Sequence, residues 1–195
     1  MTQFGWLSVV RLGLVQACLG AVVVLATSTI NRVMVVELSL PALVPGFLVA
    51  LHYLVQVARP RMGHGSDVGG HRTPWIIGGM AVLASGGTLS ALGTAMAQTH
   101  RALGICMAFA GFTLIGLGVS ASGTSLLVML AKNVAPQRRG PAATLVWMMM
   151  IAGFAVTAGV AGGLLEPFSP RRLVLVAAGV SVMAFFTTFF AVRGV

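Results

Sequence analysis

Leu12–Asn31 reads LGLVQACLGAVVVLATSTIN and contains no Asp, Glu, Lys or Arg between the flanking Arg11 and Arg32. The hydrocarbon core of a bilayer is about 30 Å thick, and a helix needs roughly 20 apolar residues to cross it. Val22–Leu25 is apolar on every side, whereas a membrane β-strand alternates apolar and polar residues. The stretch therefore predicts a transmembrane helix.

The same pattern recurs along the chain. Charges fall at intervals that leave five more uncharged stretches, and the six predicted spans are approximately 11–36, 41–60, 74–98, 102–131, 141–165 and 172–193. The composition agrees, with 57% hydrophobic residues, 8% charged residues and a mean hydropathy of +0.98, too few charges for the exterior of a soluble domain. We therefore expect an all-α membrane protein, a single six-helix domain over 1–195 with loops at 61–73 and 132–140.

The distribution of basic residues predicts the orientation. One set of alternate helix ends carries Arg11, Arg59, Arg61, Arg72, Lys132, Arg138, Arg139 and Arg193, and the other carries Arg32, Arg101, Arg171 and Arg172. Short cytoplasmic loops hold the excess of Lys and Arg, so both termini and both basic loops are expected in the cytoplasm. This placement accounts for the net charge of +9, and no nucleic-acid partner is expected because no soluble domain remains to carry one.

The residues that catalysis or metal binding would need are sparse. Cys18 and Cys106 fall inside predicted spans, where cysteine packs as a small apolar residue, and His64 and His71 lack the companions of a zinc site. The chain has three acidic residues and shows no catalytic triad or carboxylate pair. We expect neither an enzyme nor a protein-bound metal site, and the first apolar stretch is too long for a cleaved signal peptide.

The segment between the second and third predicted helices carries a motif. Gly63–Arg72 reads GHGSDVGGHR. This segment resembles the loop signature of the major facilitator superfamily, which it matches at Gly63, Asp67, Gly70 and Arg72. Glycines permit a tight turn there, and the aspartate can bind helix N-termini and a nearby arginine. The resemblance implies the N-terminal six-helix half of such a fold, although a merely solvated turn is the alternative.

Two further segments bear on that resemblance. Pro136–Gly140 reads PQRRG and is similar to the corresponding second cytoplasmic loop, so Arg138 and Arg139 join Asp67 as members of an expected cytoplasmic latch. Gly159 and Gly163 lie in a glycine-rich stretch similar to that of antiporters, but Val160 replaces the usual proline. Close packing of this GxxxG pair against another helix is the simpler interpretation.

A more specific resemblance lies in the first two predicted helices. Thr29–Leu38 reads TINRVMVVEL, followed by Pro41-Ala42 and then by Gly63-His64 and Ser66-Asp67. These residues resemble the PucC/LhaA family, a branch of the superfamily. The resemblance implies assembly of light-harvesting antenna and reaction-centre complexes in the inner (intracytoplasmic) membrane of a phototrophic bacterium, with binding or delivery of bacteriochlorophyll. Family members carry two similar six-helix halves, so a second half or a second copy of the chain is an expected partner.

Polar residues inside the spans are the candidate binding residues, since lipid would otherwise keep these positions apolar. In the first helix Gln16, Gly20, Thr27 and Asn31 recur near the helical period and continue to Arg32, so this face is expected to meet protein or a cavity. In the second helix His52 and Gln56 are one turn apart and share a face.

His52 is the first choice for a pigment contact, because a neutral imidazole can ligate the magnesium of a chlorophyll. The alternative is a hydrogen bond from His52 to a neighbouring helix. Arg32 and Glu37 either neutralise each other or contact a substrate or partner. Half of a small-solute transporter and a structural subunit of a photosynthetic complex remain as alternative functions.

Overall fold

The computed structural model describes residues 4–68 and 72–194, and within them it contains six helices long and apolar enough to cross a membrane. The prediction of an all-helical membrane protein is thereby confirmed. We number the helices α1 (Trp6–Val36), α2 (Leu43–Val68), α3 (Arg72–Met96), α4 (Arg101–Asn133), α5 (Arg139–Leu164) and α6 (Pro170–Val192).

Helix α1 is the centre of the bundle. It packs on α5 and α6 and also contacts α3 and α4, and Leu12, Val15, Val22 and Leu25 are fully buried along it. Leu25–Ile30 forms a π-helical segment within the otherwise α-helical run. The helix continues through Val36, so the expectation that Asn31 and Arg32 belong to its end is confirmed.

The α3–α4 pair forms the tightest interface. Glycines recur every seven residues on both helices, at Gly79, Gly86 and Gly93 on α3 and at Gly104, Gly111 and Gly118 on α4. A Cβ atom added to any of the six would lie 2.4–2.7 Å from the backbone of the facing helix. Small residues allow such close approach, and van der Waals packing is what drives helix association in lipid.

The predicted loop at 61–73 is wrong in its first part, because helix α2 continues through Val68. It runs as α-helix over Leu43–Val55, tightens to a 3-10 turn at Gln56–Ala58 and resumes as α-helix over Arg59–Val68. Gly63 therefore lies in a helix and not in a tight turn, and a Cβ there would be 3.1 Å from Cγ2 of Thr124 on α4. Packing on α4 offsets the low helix propensity of this glycine-rich segment.

The connection between α4 and α5 is shorter than the predicted loop 132–140. Helix α4 continues to Asn133, and a 3-10 turn at Pro136–Arg138 leads into α5. Phe4 donates its backbone N–H to the carbonyl of Asn133 at 2.9 Å, and Arg11 donates to the carbonyls of Phe190 and Arg193. The start of α1 and the ends of α4 and α6 therefore meet at the same end of the bundle.

Candidate functional site

A cavity of about 300 Å³ with a mainly apolar lining and a few polar side chains lies between α1, α2, α4 and α5. Most of the residues that each helix contributes are three, four, seven or eight positions apart, so one face of each helix forms a wall. The lining residues are Gln16, Leu19, Gly20 and Val23 of α1; His52, Tyr53, Gln56 and Arg59 of α2; Val119, Gly123 and Leu127 of α4; and Trp147, Met150 and Phe154 of α5.

Glycines allow close contact between the helices that form the walls of this cavity. A Cβ on Gly116 would lie 2.7 Å from the carbonyl oxygen of His52, so α2 crosses α4 at this point. On the opposite side, a Cβ on Gly20 would lie 2.8 Å from the ring of Phe154. The close contacts at Gly116 and Gly20 therefore hold α2 against α4 and α1 against α5.

A chain of hydrogen bonds runs along the α2 wall. Nε2 of Gln56 lies 2.8 Å from Nε2 of His52, and Arg59 donates through Nη2 to Oε1 of Gln56. His52 is 1% exposed, and its Nδ1 has no hydrogen-bond partner among the residues that the structure describes. The expectation that His52 and Gln56 share a face is confirmed.

The α1 wall supplies a second buried polar group. Gln16 is 6% exposed and donates from Nε2 to Sδ of Met150 at 3.3 Å. Its Oε1 is buried without a donor in the described part of the chain. An unpartnered polar atom is costly in an apolar interior, so Gln16 and His52 both present unused hydrogen-bonding capacity at this cavity.

The cavity opens on one side between α2 and α5. Tyr53 is 59% exposed and Trp147 is 48% exposed, and both line the cavity. The surrounding surface is apolar, with Leu54 and Ile151 also exposed. A ligand with an apolar body can therefore reach the polar wall from this side.

Thr27 and Asn31, at the other end of the polar face predicted on α1, do not line this cavity. Asn31 donates to the carbonyl of Thr27 at 3.3 Å, and Thr27 donates to that of Val23 at 2.9 Å, so both side chains bond within their own helix. The π-helical segment has more residues per turn than an α-helix, which separates Asn31 from the face of Gln16.

Arg32 and Glu37 are exposed at the same end of α1. Glu37 lines a surface pocket of about 330 Å³ with Gln98 and Arg101 at the α3–α4 connection. The structure therefore does not bring Asn31, Arg32 and Glu37 together with His52 and Gln56.

The expected cytoplasmic latch is described only in part. Gly70 and the side chain of Asp67 lie outside the described residues, and Arg72 begins α3. Arg138 is exposed, and Arg139 donates from Nε to the carbonyl of Val134 at 3.2 Å. Arg139 thus holds the end of α4 against the start of α5.

Arg59 is the cavity residue that sequence reasoning missed. Its charge marks the end of the second predicted span, but it also lies three residues after Gln56 and seven after His52 and so shares their face. The sequence of α4 and α5 contains no comparable polar pattern that would identify their cavity residues. The faces of these helices that meet are determined by tertiary packing.

Two larger grooves, of about 610 and 490 Å³, lie on the outer surface of α3. Their walls are mainly apolar, including Phe185 and Phe186 of α6 in the first and Trp75 in the second. Such open apolar surfaces fit lipid chains and offer few groups for specific recognition. Among the described residues, no group of three or more His, Cys, Asp or Glu is placed to hold a metal ion.

Comparisons with known proteins agree on one family. A family model described as PUCC protein matches residues 29–195. The chain is 52% identical over 191 residues to the "Bacteriochlorophyll synthase 44.5 kDa chain" of Rhodobacter capsulatus, covering 98% of this chain and 45% of that protein. It is 33% identical to "Protein PucC" of Cereibacter sphaeroides, covering 93% of this chain and 42% of that protein.

A third relative, "Protein PucC" of Rhodobacter capsulatus, is 31% identical over 88% of this chain and 40% of its own length. The chain thus spans less than half the length of these relatives. One relative's name contains the word synthase, whereas the name "Protein PucC" denotes no reaction. No solved structure matches the chain.

Proposed function

This chain belongs to the PUCC protein family, and from that membership we propose that it acts in assembling photosynthetic light-harvesting complexes in the membrane, by binding bacteriochlorophyll and delivering it. Its expected partners are antenna and reaction-centre subunits within the lipid bilayer. The word bacteriochlorophyll in the name of the 52% identical relative supports the choice of pigment.

The observation that carries the proposal is a group of polar side chains at one cavity of an otherwise apolar bundle. Ionisable and amide side chains inside a membrane domain are costly and mark functional sites by default, and here His52, Gln56, Arg59 and Gln16 meet at one cavity. Its volume of about 300 Å³ lies at the lower end of the range for small-molecule sites. We propose that it accepts part of a pigment whose remainder extends past Tyr53 and Trp147 into the membrane.

A pigment can bind at His52 in two ways. An imidazole nitrogen can coordinate the magnesium, or the ring N–H can donate a hydrogen bond to a carbonyl at the pigment's edge. In neither case does the protein change covalent bonds of the pigment, so the proposed function is that of a carrier and not of an enzyme.

The proposed location is the bacterial inner (intracytoplasmic) membrane, with both termini in the cytoplasm. The support is the positive-inside rule applied to the end of the bundle where Arg11 and Arg193 meet. In this orientation the latch residues Gly63, Asp67, Gly70, Arg72, Arg138 and Arg139 are cytoplasmic. Arg32 and Glu37 are then on the opposite side, where they are available to a partner subunit.

A second candidate function is half of a secondary small-solute transporter. It is favoured by the exposed surface of α2 and α5, since only 17% of the most apolar part of each helix is buried, against 56% for α1. A second six-helix domain or another copy of this chain would cover that surface and close the cavity between two halves.

Purification of the tagged chain from a phototrophic host in mild detergent tests the proposal. We expect bacteriochlorophyll absorption bands and co-purifying antenna subunits, and we expect His52→Leu to weaken the bands. His100→Leu is the matched control, because His100 is exposed at the start of α4 and away from the cavity. A colourless protein without partners would refute pigment delivery and would favour the transporter half.

A further inference from the structure

The hydrogen-bond chain on α2 fixes which nitrogen of His52 carries its proton. Arginine has only hydrogen-bond donors, so the Gln56 atom that faces Arg59 must be the amide oxygen. The amide nitrogen of Gln56 therefore faces His52 and donates to its Nε2 at 2.8 Å. In a neutral imidazole whose Nε2 accepts a hydrogen bond, the proton lies on Nδ1.

This arrangement leaves His52 without a lone pair for a metal. The lone pair of Nε2 is used by Gln56, and Nδ1 carries a hydrogen. Within the described residues that N–H has no acceptor, and His52 is almost fully buried. A buried donor without an acceptor is unfavourable. Nδ1 has almost no accessible surface, so a ligand that brings an acceptor oxygen gains from the contact once the surrounding side chains move to admit it.

The volume of the cavity also favours a hydrogen bond to the edge of the pigment over ligation of its magnesium. If His52 ligated the magnesium, the whole macrocycle would have to fit beside the imidazole. A carbonyl at the edge of the ring needs room only for that edge, and the cavity of about 300 Å³ with its opening past Tyr53 and Trp147 provides it.

We infer that the cavity recognises the pigment through a carbonyl oxygen at the edge of its ring, which accepts a hydrogen bond from Nδ1–H of His52, and that His52 does not ligate the central magnesium. The inference rests on the proposed function and specifies its binding mode. Gln56 and Arg59 act as positioning residues, because they set the proton on Nδ1 through the contact at Nε2.

Comparison of two pigments tests this binding mode. Bacteriopheophytin keeps the edge carbonyls of bacteriochlorophyll and lacks the magnesium. Titration of the full chain in detergent, followed by quenching of tryptophan fluorescence, should give dissociation constants for the two pigments within about threefold of each other. We expect His52→Leu to weaken both by about tenfold, the value of one hydrogen bond, and His100→Leu to change neither.

Two results would overturn different statements. A preference of more than about tenfold for the magnesium pigment, lost in His52→Leu, would establish metal ligation and refute carbonyl recognition while leaving pigment delivery intact. Failure of the wild-type chain to bind either pigment, with a helical circular dichroism spectrum retained, would refute the proposed function itself.

A vibrational measurement gives an answer even if His52→Leu fails to fold. A carbonyl that accepts a hydrogen bond has a lower stretching frequency, so the resonance Raman spectrum of pigment bound to the wild-type chain should show one carbonyl band below its position in detergent alone. Carbonyl bands at unchanged frequencies would overturn the inference. His52→Gln keeps an N–H donor and should retain part of the shift.

Discussion

The α3–α4 interface and the region around α2 and α5 differ in how closely their helices pack. Between α3 and α4 the glycines at seven-residue spacing bring the two backbones together with no room for a methyl group. Helices α2 and α5 leave most of their surface uncovered and enclose a cavity with unpartnered polar atoms. The comparison separates a close-packed scaffold from a region whose surface is largely uncovered, and the proposed function places ligand binding in the second region.

The largest effect is expected from a large residue in the scaffold. In Gly86→Leu the new side chain meets the backbone of Gly111 and Ile115, 2.7 Å from the Cβ position, so the helices must separate. We expect a loss of more than about 3 kcal/mol, beyond the usual cost of overpacking, and little folded protein in the membrane. Yield and thermal unfolding in detergent provide the measurement.

The control for that substitution lies on the same helix. Gly78 has no described atom within 4 Å of its Cβ position, so Gly78→Leu should leave stability unchanged or raise it slightly through helix propensity. If both variants unfold alike, glycine-mediated contact is not what distinguishes the α3–α4 interface.

An intermediate effect is expected where α2 crosses α4. Gly116→Val places its side chain against the carbonyl of His52 and against Val55, so α2 must move outward. Because α2 packs mainly on α4, the other helices should remain folded while pigment affinity falls by more than about tenfold. This corresponds to at least 1.4 kcal/mol of binding free energy.

Gly123→Ala is the matched substitution in the same cavity wall. The nearest atom to its Cβ position is Cδ1 of Leu19 at 3.8 Å, an ordinary contact distance. We expect pigment affinity within about twofold of wild type, because the change lies far below 1 kcal/mol. Equal losses in Gly123→Ala and Gly116→Val would mean that cavity volume and not the position of α2 controls binding.

These two regions also differ in how much of them the sequence predicts. The six helices follow from the spacing of charges, because a charged residue in lipid is costly wherever it lies in the chain. The sequence predicts a loop at 61–73, whereas the structure is α-helical through Val68, and Gly63 of this segment packs on Thr124 of α4. Tertiary contact overrides weak helix propensity here.

The residues of the scaffold and of the cavity differ in how they can be found in the sequence. The facing glycines of α3 and α4 recur at seven-residue spacing, and only a search at that spacing would identify them. His52 and Gln56 follow from helical periodicity alone. Which residues lie opposite them depends on how α1 and α5 pack, and a single helical pattern carries no information about that.

A smaller effect is expected from removing an unpartnered polar atom. Gln16→Leu eliminates the buried Oε1 that lacks a donor in the described part of the chain, so the empty protein should gain about 1 kcal/mol of stability. Pigment affinity should fall several-fold if Gln16 is retained for the ligand. Thermal unfolding and pigment titration measure the two effects separately.

Ser122→Ala is the counterpart of Gln16→Leu on the scaffold side. Its Oγ is likewise buried without a partner among the described residues, and Ser122 faces Gly79 of α3. This substitution should change stability by less than about 1 kcal/mol and leave pigment affinity unchanged. A loss of affinity in Ser122→Ala would contradict the separation of scaffold from cavity.

The smallest effect is expected at the GxxxG pair of α5. No described atom lies within 4 Å of the Cβ positions of Gly159 and Gly163, and both residues are exposed. The expected packing of this pair against another helix is therefore absent within the described chain. Gly159→Leu should change the stability of the isolated chain by less than about 0.5 kcal/mol, as is usual for exposed sites. A large loss of thermal stability would show that α5 packs on a partner through this face.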